Sequence, residues 1–251
     1  MKRFIKNIIN NLGYRIYKTK ILPKGFDLVL DINRRSKEPL RLIFDVGANI
    51  GQTAREFHRE FPKAEIFSFE PVRETFKILQ ENTQHLNRVR CFNNAFGKQE
   101  GKAEIFLQDL SGKNSMLAKN ASQNHGSETI ELLTIDNFAE IHQIESIDLL
   151  KTDTEGYDLE VLKGAERYLD EGKISFIMSE VGFNRRDSGH TFFPNILDYL
   201  NDKNYQLVDI YESTPVLYLH NRFGFANALF MHNKIAEKCC SWRNGRWKIR
   251  Y

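Results

Sequence analysis

Two short stretches concentrate the residue types that can do chemistry. "DVGANIG", residues 45–51, places an aspartate and two glycines at the end of an apolar run. "KTDTEGYDLEVLKGAE", residues 151–166, sets Asp153, Glu155 and Asp158 around Gly156 at the end of another. Glycines at 47 and 51 let the backbone turn tightly and come close to a ligand. The helical pattern that follows directs free N–H groups and the positive end of a dipole to the same place. Glu70 closes a further apolar run 19 residues after Gly51, a place from which a carboxylate accepts both hydroxyls of an adenosine ribose. A nucleoside is therefore the natural occupant. The three acids at 153–158 either cap a helix or face that ligand.

The spacing also says which nucleoside. A dinucleotide fingerprint needs G-x-G-x-x-G, with its second glycine admitting a pyrophosphate. Asn49 stands at that second position and Gln52 at the third, and no G-x-x-x-x-G-K-[ST] phosphate loop occurs. Asp45 within the turn repels a pyrophosphate but suits a cationic sulfonium–amino acid group. S-adenosylmethionine has that charge and no phosphate, so a methyl donor is expected in place of NAD.

The elements that must position these residues alternate. "RLIFDVG", "AEIFSFE", "VRCFNNAFG", "IDLLKTD" and "ISFIMSEVG" read as buried strands. Helical patterns follow them, with Ile50, Ala54, Phe57 and Phe61 in the first and Leu159, Leu162, Ala165 and Leu169 in a later one. "KAEIFLQ" reads as a short antiparallel excursion, residues 111–128 as a polar loop of lid or binding type, and "YQLVDIY" and "FGFANALFMHN" as a closing antiparallel pair. The expectation is a doubly wound, mostly parallel α/β sheet with an antiparallel C-terminal edge, ligands lying at the carboxyl ends of the strands.

Composition sets the bounds. At 41% hydrophobic and 27% charged the chain is an ordinary globular one, and no run reaches the roughly 18 apolar residues of a membrane span. The first residues lack the apolar core and cleavage site of a signal peptide. Cys91, Cys239 and Cys240 have no metal-ligand spacing, so a reducing, cytoplasmic setting is expected. Charge is partitioned: seven Lys/Arg and no acid precede Asp27, and six basic residues and one acid follow from Lys234, leaving −9 for residues 27–233. Residues 4–16 form a basic amphipathic pattern suited to packing, a dimer contact or the inner membrane face. Residues 1–40 are read as this helix and a linker, 41–233 as the main domain and 234–251 as a basic tail.

"IFDVGANIGQTA", "FSFEP", "NNAFG", "TIDNF" and above all "KTDTEGYDLEVLKGA" resemble the FkbM-type S-adenosylmethionine-dependent methyltransferases over about residues 41–183. The resemblance implies a Rossmann-like class I methyltransferase sheet and methylation of hydroxyl oxygens, on glycans, lipids or secondary metabolites. Thr152 and Thr154 depart from the aliphatic residues more usual beside Asp153. Carried over, Asp45, Gly47 and Gly51 cradle the donor's amino acid part, Glu70 its ribose, and Asn94 and Ala95 its adenine. Asn49 either reaches the methionine carboxylate or caps the following helix.

Asp153 then meets the donor's methyl group and is the first candidate for the base that an alcohol acceptor needs. Glu155 shares the acceptor hydroxyl or prepares the helix start, Asp158 serves the helix, and Glu180 reaches the crevice from the next strand. Asp153 and Glu155 together could hold Mg²⁺, but no further ligand stands at metal spacing, and metal dependence is not expected. Ser115 and Met116 on the long loop, and Arg185 and His190 after the fifth strand, are candidates for the acceptor side. The leading expectation is O-methylation of a sugar or lipid-linked glycan. An RNA methyltransferase is a rival that terminal placement of the basic residues disfavours. A non-catalytic module is another, and the intact donor residues speak against it.

Overall fold

The computed structural model describes residues 12–13, 25–107, 126–187, 189–216, 222–243 and 246–249. Its main sheet runs β10-β11-β8-β7-β1-β2-β3, with the short β9 (Thr191–Phe192) added alongside β8. Five strands are parallel: β1 (Leu42–Val46), β2 (Glu65–Phe69), β3 (Val89–Phe92), β7 (Ile147–Thr152) and β8 (Ile174–Gly182), with β3 at one edge. β11 (Arg222–His232) and β10 (Tyr205–Val216) complete the edge antiparallel. Strand order reverses between β1 and β7, so the sheet is doubly wound and its switch point lies at Asp45 and Lys151.

Alternation along each strand builds two cores. Phe44, Leu150 and Ile177 face one, with the helices α4 (Ile135–Ile141), α5 (Asp158–Lys163), α6 (Glu166–Asp170) and α7 (Phe193–Asp202). Ile43, Leu149 and Phe176 face the other, against α2 (Gln52–Glu60) and α1 (Leu28–Arg35). An aromatic cluster centres the first core: the Phe138 ring meets those of Phe44, Phe69, Phe92 and Phe96 edge-on. α3 (Arg73–Thr83) links β2 to β3.

The structure departs from the sequence reading in three places. The run "VRCFNNAFG" is not one strand. It breaks at Asn93–Asn94, where the Asn93 amide donates to the carbonyls of Glu70 and Pro71, and the chain leaves the main sheet as β4 (Ala95–Phe96). The excursion β5 (Gly101–Phe106) joins a second sheet, β4-β6-β5, whose centre is β6 (Ser127–Leu133), a strand absent from the sequence reading. Within residues 28–40, α1 is capped by the Asp27 carboxylate and buries Ile32 fully. Its Asp31 accepts from the Tyr211 hydroxyl, tying the helix to β10. α8 (Asn233–Cys239) and the hairpin of β12 (Cys240–Arg243) and β13 (Arg246–Ile249) follow β11. Among the described residues no helix is long and apolar enough to cross a membrane. The amphipathic pattern at 4–16 and the loop residues Ser115 and Met116 lie outside the described residues, apart from Leu12 and Gly13.

Candidate active site

The site is built where β1, β2, β7 and β8 end. Residues Asp45 and Lys151 are register partners, so their side chains project on the same side of neighbouring strands. Two residues on, just past the end of β7, Asp153 reaches the same Lys151 ammonium. The fully buried Asp45 carboxylate lies 3.2 Å from the Lys151 ammonium, which is 3.3 Å from Asp153 and also donates to the carbonyl of Gly47 at 3.2 Å. Sequence reading left Asp45 with a free negative charge to select a cationic ligand, and the structure corrects this: Lys151 balances it. Burial raises the Asp45 carboxyl, and Lys151 opposes the rise. Burial works against the ammonium too, but Asp153 and Asp45 outweigh it and hold Lys151 above the usual lysine range. Sequence reasoning passed over this lysine. A single cation in an apolar strand, two residues before an aspartate, was the available signal.

The turn after β1 is fixed by backbone. The N–H groups of Gly47 and Ala48 both donate to the Phe69 carbonyl, joining the turn to the end of β2. Gly47 has φ +78°, and a Cβ there would stand 1.9 Å from the carbonyl oxygen of Asp153. Gly51, with φ +88°, ends the turn as the N-cap of α2, which no side chain caps. The capping alternative for Asn49 therefore falls. Asn49 takes a left-handed conformation (φ 49°), its N–H donates to Glu70, and its side-chain oxygen is buried without a partner. The Asp45 oxygens likewise make no directed hydrogen bond.

Glu70 bridges two turns. Its two oxygens accept from the N–H groups of Asn49 (3.1 Å) and Val72 (3.0 Å), and each keeps a further lone pair for a ligand hydroxyl. Burial, only partly offset by these hydrogen bonds, pushes its pKa up to about 7. Beside it, a cleft of about 470 Å³ is lined by Pro71, Arg73, Asn93, Ala95, Glu128 and Ile130, among others. Ala95 is thus among the residues that border this cleft. Asn93 lines it too, whereas Asn94 is half-buried and is not among the lining residues.

The acids of the second motif separate. Glu155 (φ 51°) and Gly156 (φ 92°) form a tight left-handed turn, which leaves Asp153 half-buried with its side chain 36% exposed. Asp158 is buried and accepts from the Thr154 N–H and the Thr191 hydroxyl, both at 3.2 Å. It locks the turn to β9 (Thr191–Phe192), and burial raises its pKa. The departure at Thr152 has a local reason: its hydroxyl donates to Ser179 on β8 at 2.9 Å. Glu180 stands beside Asp153. Burial first, then the charges of Asp153, Asp158 and Glu155, push Glu180 to about 9. His190 lies against Glu180, its Nε2 3.5 Å from the carboxylate, and its Nδ1 is 2.8 Å from Asp187. Arg185 points elsewhere: it is exposed, with its guanidinium over the Phe192 ring.

A second cleft, of about 630 Å³, opens on Lys151 and Asp153 from the side of α1 and α2. Its lining includes Asp27, Asn33, Glu56, Glu60, Glu212 and Asn227. Two clefts therefore flank the strand ends, one beside Glu70 and Ala95 and the other beside Asp153.

Residues 45–207 match the family described as the methyltransferase FkbM domain. The 2-O-methyltransferase NoeI of Sinorhizobium fredii is 29% identical over 178 residues, covering 65% of this chain and 72% of its own. The hexuronic acid methyltransferase AglP of Haloferax volcanii is 31% identical over 144 residues, covering 56% of this chain and 55% of its own. Among solved structures, an rRNA methylase from Streptococcus thermophilus aligns over 80% of this chain and 92% of its own, with 8% identity and a TM-score of 0.45. The matched segment starts at Asp45 and takes in both motif turns, the ends of β1, β2, β7 and β8, and everything between them, and on that extent the chain belongs to the FkbM-domain methyltransferases.

Proposed function

We propose that the protein transfers a methyl group from S-adenosylmethionine to a hydroxyl oxygen of a sugar. The donor residues fit that ligand on structural grounds. Glu70 has lone pairs for two ribose hydroxyls, the buried Asn49 side-chain oxygen has no hydrogen-bond partner in the protein, and Gly47 keeps the turn clear of a side chain. When bound, S-adenosylmethionine supplies a sulfonium methyl carbon open to in-line attack. The observation that carries the reading is Asp153: a carboxylate at the switch point, reachable from solvent, fixed by Lys151 on one side and Glu180 on the other.

The chain's own groups have two tasks. They align the acceptor, which lowers the barrier through orientation. They also take the hydroxyl proton, for which Asp153 is the base, a contribution of about 10²- to 10⁴-fold. The larger cleft bears on the acceptor. Carboxylates and amides suit a molecule rich in hydroxyl donors, and Lys151, the cation at its floor, is already engaged by Asp45 and Asp153. An uncharged sugar fits this lining better than a uronate.

Transfer of label from S-adenosylmethionine to a panel of glucosides, fucosides, glucosaminides and glucuronides tests the proposal. Transfer to a neutral sugar, lost in Asp153→Asn with donor affinity retained, is expected. No transfer to any sugar, or full activity of Asp153→Asn, overturns it, and a preference for glucuronides overturns the charge argument.

A further inference from the structure

His190 is placed by three elements at once. Its ring stacks on Phe225 of β11 at 4.4 Å between centroids and 12° between planes. Asp187, on its own loop, meets Nδ1 at 2.8 Å, and Asp187 also accepts from the Gly189 N–H at 2.9 Å, so the carboxylate is itself fixed. Glu180 of β8 faces Nε2 at 3.5 Å. One face of the imidazole is thus stacked, and a carboxylate stands at each nitrogen. On the far side of Glu180 lies Asp153, with the charges of Glu155 and Asp158 close by. Of the two arginines on that loop, Arg185 is turned onto Phe192 and Arg186 is exposed.

We propose that His190 is a positioning residue that carries the acceptor's proton away from Asp153 through Glu180. The inference rests on Asp153 being the base. A fixed Asp187 selects the tautomer with hydrogen on Nδ1, leaving the Nε2 lone pair toward Glu180. Glu180 holds a proton at neutral pH, since its pKa stands at about 9. When the acceptor oxygen gains the methyl group and its O–H bond breaks, that proton passes to Asp153. Glu180 gives its own proton to Nε2 and takes the one on Asp153. The donor's sulfur keeps the electron pair of the broken carbon–sulfur bond. The net products are a methyl ether, a neutral thioether and an imidazolium balanced by Asp187, which releases its proton to solvent. His190 touches no reacting atom.

The test has one readout without turnover and one with it. The full-length chain is labelled with ¹⁵N-histidine, and His190 is assigned by its loss from the spectrum of His190→Gln. At pH 7 the parent should show the Nδ1–H tautomer, and both Asp187→Ala and Glu180→Ala should move His190 toward the ordinary Nε2–H mixture. A parent already in that mixture, or a His190 signal indifferent to both substitutions, overturns the proposal. In the sugar assay His190→Gln should lose about 10- to 100-fold in transfer at pH 7. It should approach the parent as the pH rises through about 9, where Glu180 gives up its proton to solvent unaided. Affinity for S-adenosylhomocysteine should not change. A loss equal at every pH marks a merely structural role and overturns the relay. Should the parent methylate no sugar, the proposed function falls, while the tautomer measurement still decides the fate of His190.

Discussion

Lys151 shows how little of a site one residue holds alone. Its side chain is 3% exposed and its ammonium lies within 3.3 Å of two carboxylates, so the charges of Lys151 and Asp45 are taken out of water together while Asp153 stays at the rim. Such a group is costly to assemble and more costly to break, because removing one partner leaves an uncompensated buried charge. Lys151→Ala should therefore lower the unfolding free energy in urea by about 3–5 kcal/mol. The pair Asp45→Asn with Lys151→Met should recover most of that loss. A single substitution costing under about 1 kcal/mol would mean that Asp45 finds another partner or a proton. At Glu70 the same burial has a functional sign. A ribose donates two hydroxyl hydrogens, which favours the carboxylate over the acid. With a pKa of about 7 in the free protein, binding of S-adenosylhomocysteine near pH 6 should release up to about one proton, and near pH 9 none. Calorimetry in buffers of different ionisation enthalpy measures the release. Glu70→Gln should abolish it, and a release unchanged in that variant would assign the proton to another group.

Elements decide where these residues meet, and they differ in how plainly they are written. β1, β2, β7 and β8 are legible because each is an apolar run ending in Asp, Glu or Gly, as a buried parallel strand at a ligand crevice must be. The break between β3 and β4 is not legible, since "VRCFNNAFG" keeps a strand-like composition through the two asparagines. β6 hides because its outward residues are polar and only Ile130 and Leu132 are buried, the pattern of a small peripheral sheet. α1 is eight residues long, too short for periodicity to stand out among its charges. The positions of the site residues follow from the strand ends, but their partners do not. Asp45 meets Lys151, and Glu180 meets His190, through register and loop return, which no local spacing encodes. Gly47 is the element-scale joint, because its Hα side faces the carbonyl of Asp153 so closely that β1 and β7 can end together only there. Gly47→Ala must place a Cβ 1.9 Å from that oxygen at φ +78°. A cost of about 1–3 kcal/mol in strain is expected, together with a donor affinity lowered at least about tenfold, because the turn must shift. Calorimetric donor binding and thermal unfolding check both, and parental affinity would show that the turn can move without consequence.

Across the whole molecule the buried acids give the fold a direction in pH. Asp45, Glu70, Asp158 and Glu180 all gather at the carboxyl edge of the sheet, and burial raises each. In the unfolded chain a glutamate loses its proton near 4.5, whereas here Glu70 holds it to about 7 and Glu180 to about 9. The native state therefore binds more protons than the unfolded state across that window, so stability is greatest on its acid side and is lost as pH rises through 7 and then 9. Lys151 adds no slope there, because it stays charged in both states over this range. Asp31 acts oppositely. Burial would raise it, but hydrogen bonds from Gly25, Tyr211 and Arg35 prevail and lower it, so its contribution disappears only in stronger acid. Thermal unfolding should accordingly occur at progressively lower temperature between about pH 5 and pH 9, against the common expectation for carboxylates paired in the native state. Glu180→Gln, which has no proton to lose, should flatten the upper part of that slope. Saturating S-adenosylhomocysteine should raise the whole curve by mass action, and most at the alkaline end, where Glu70 is already a carboxylate. A melting temperature that climbs over this range, or a slope that Glu180→Gln leaves untouched, would show that the acids at the strand ends are ionised in the native fold.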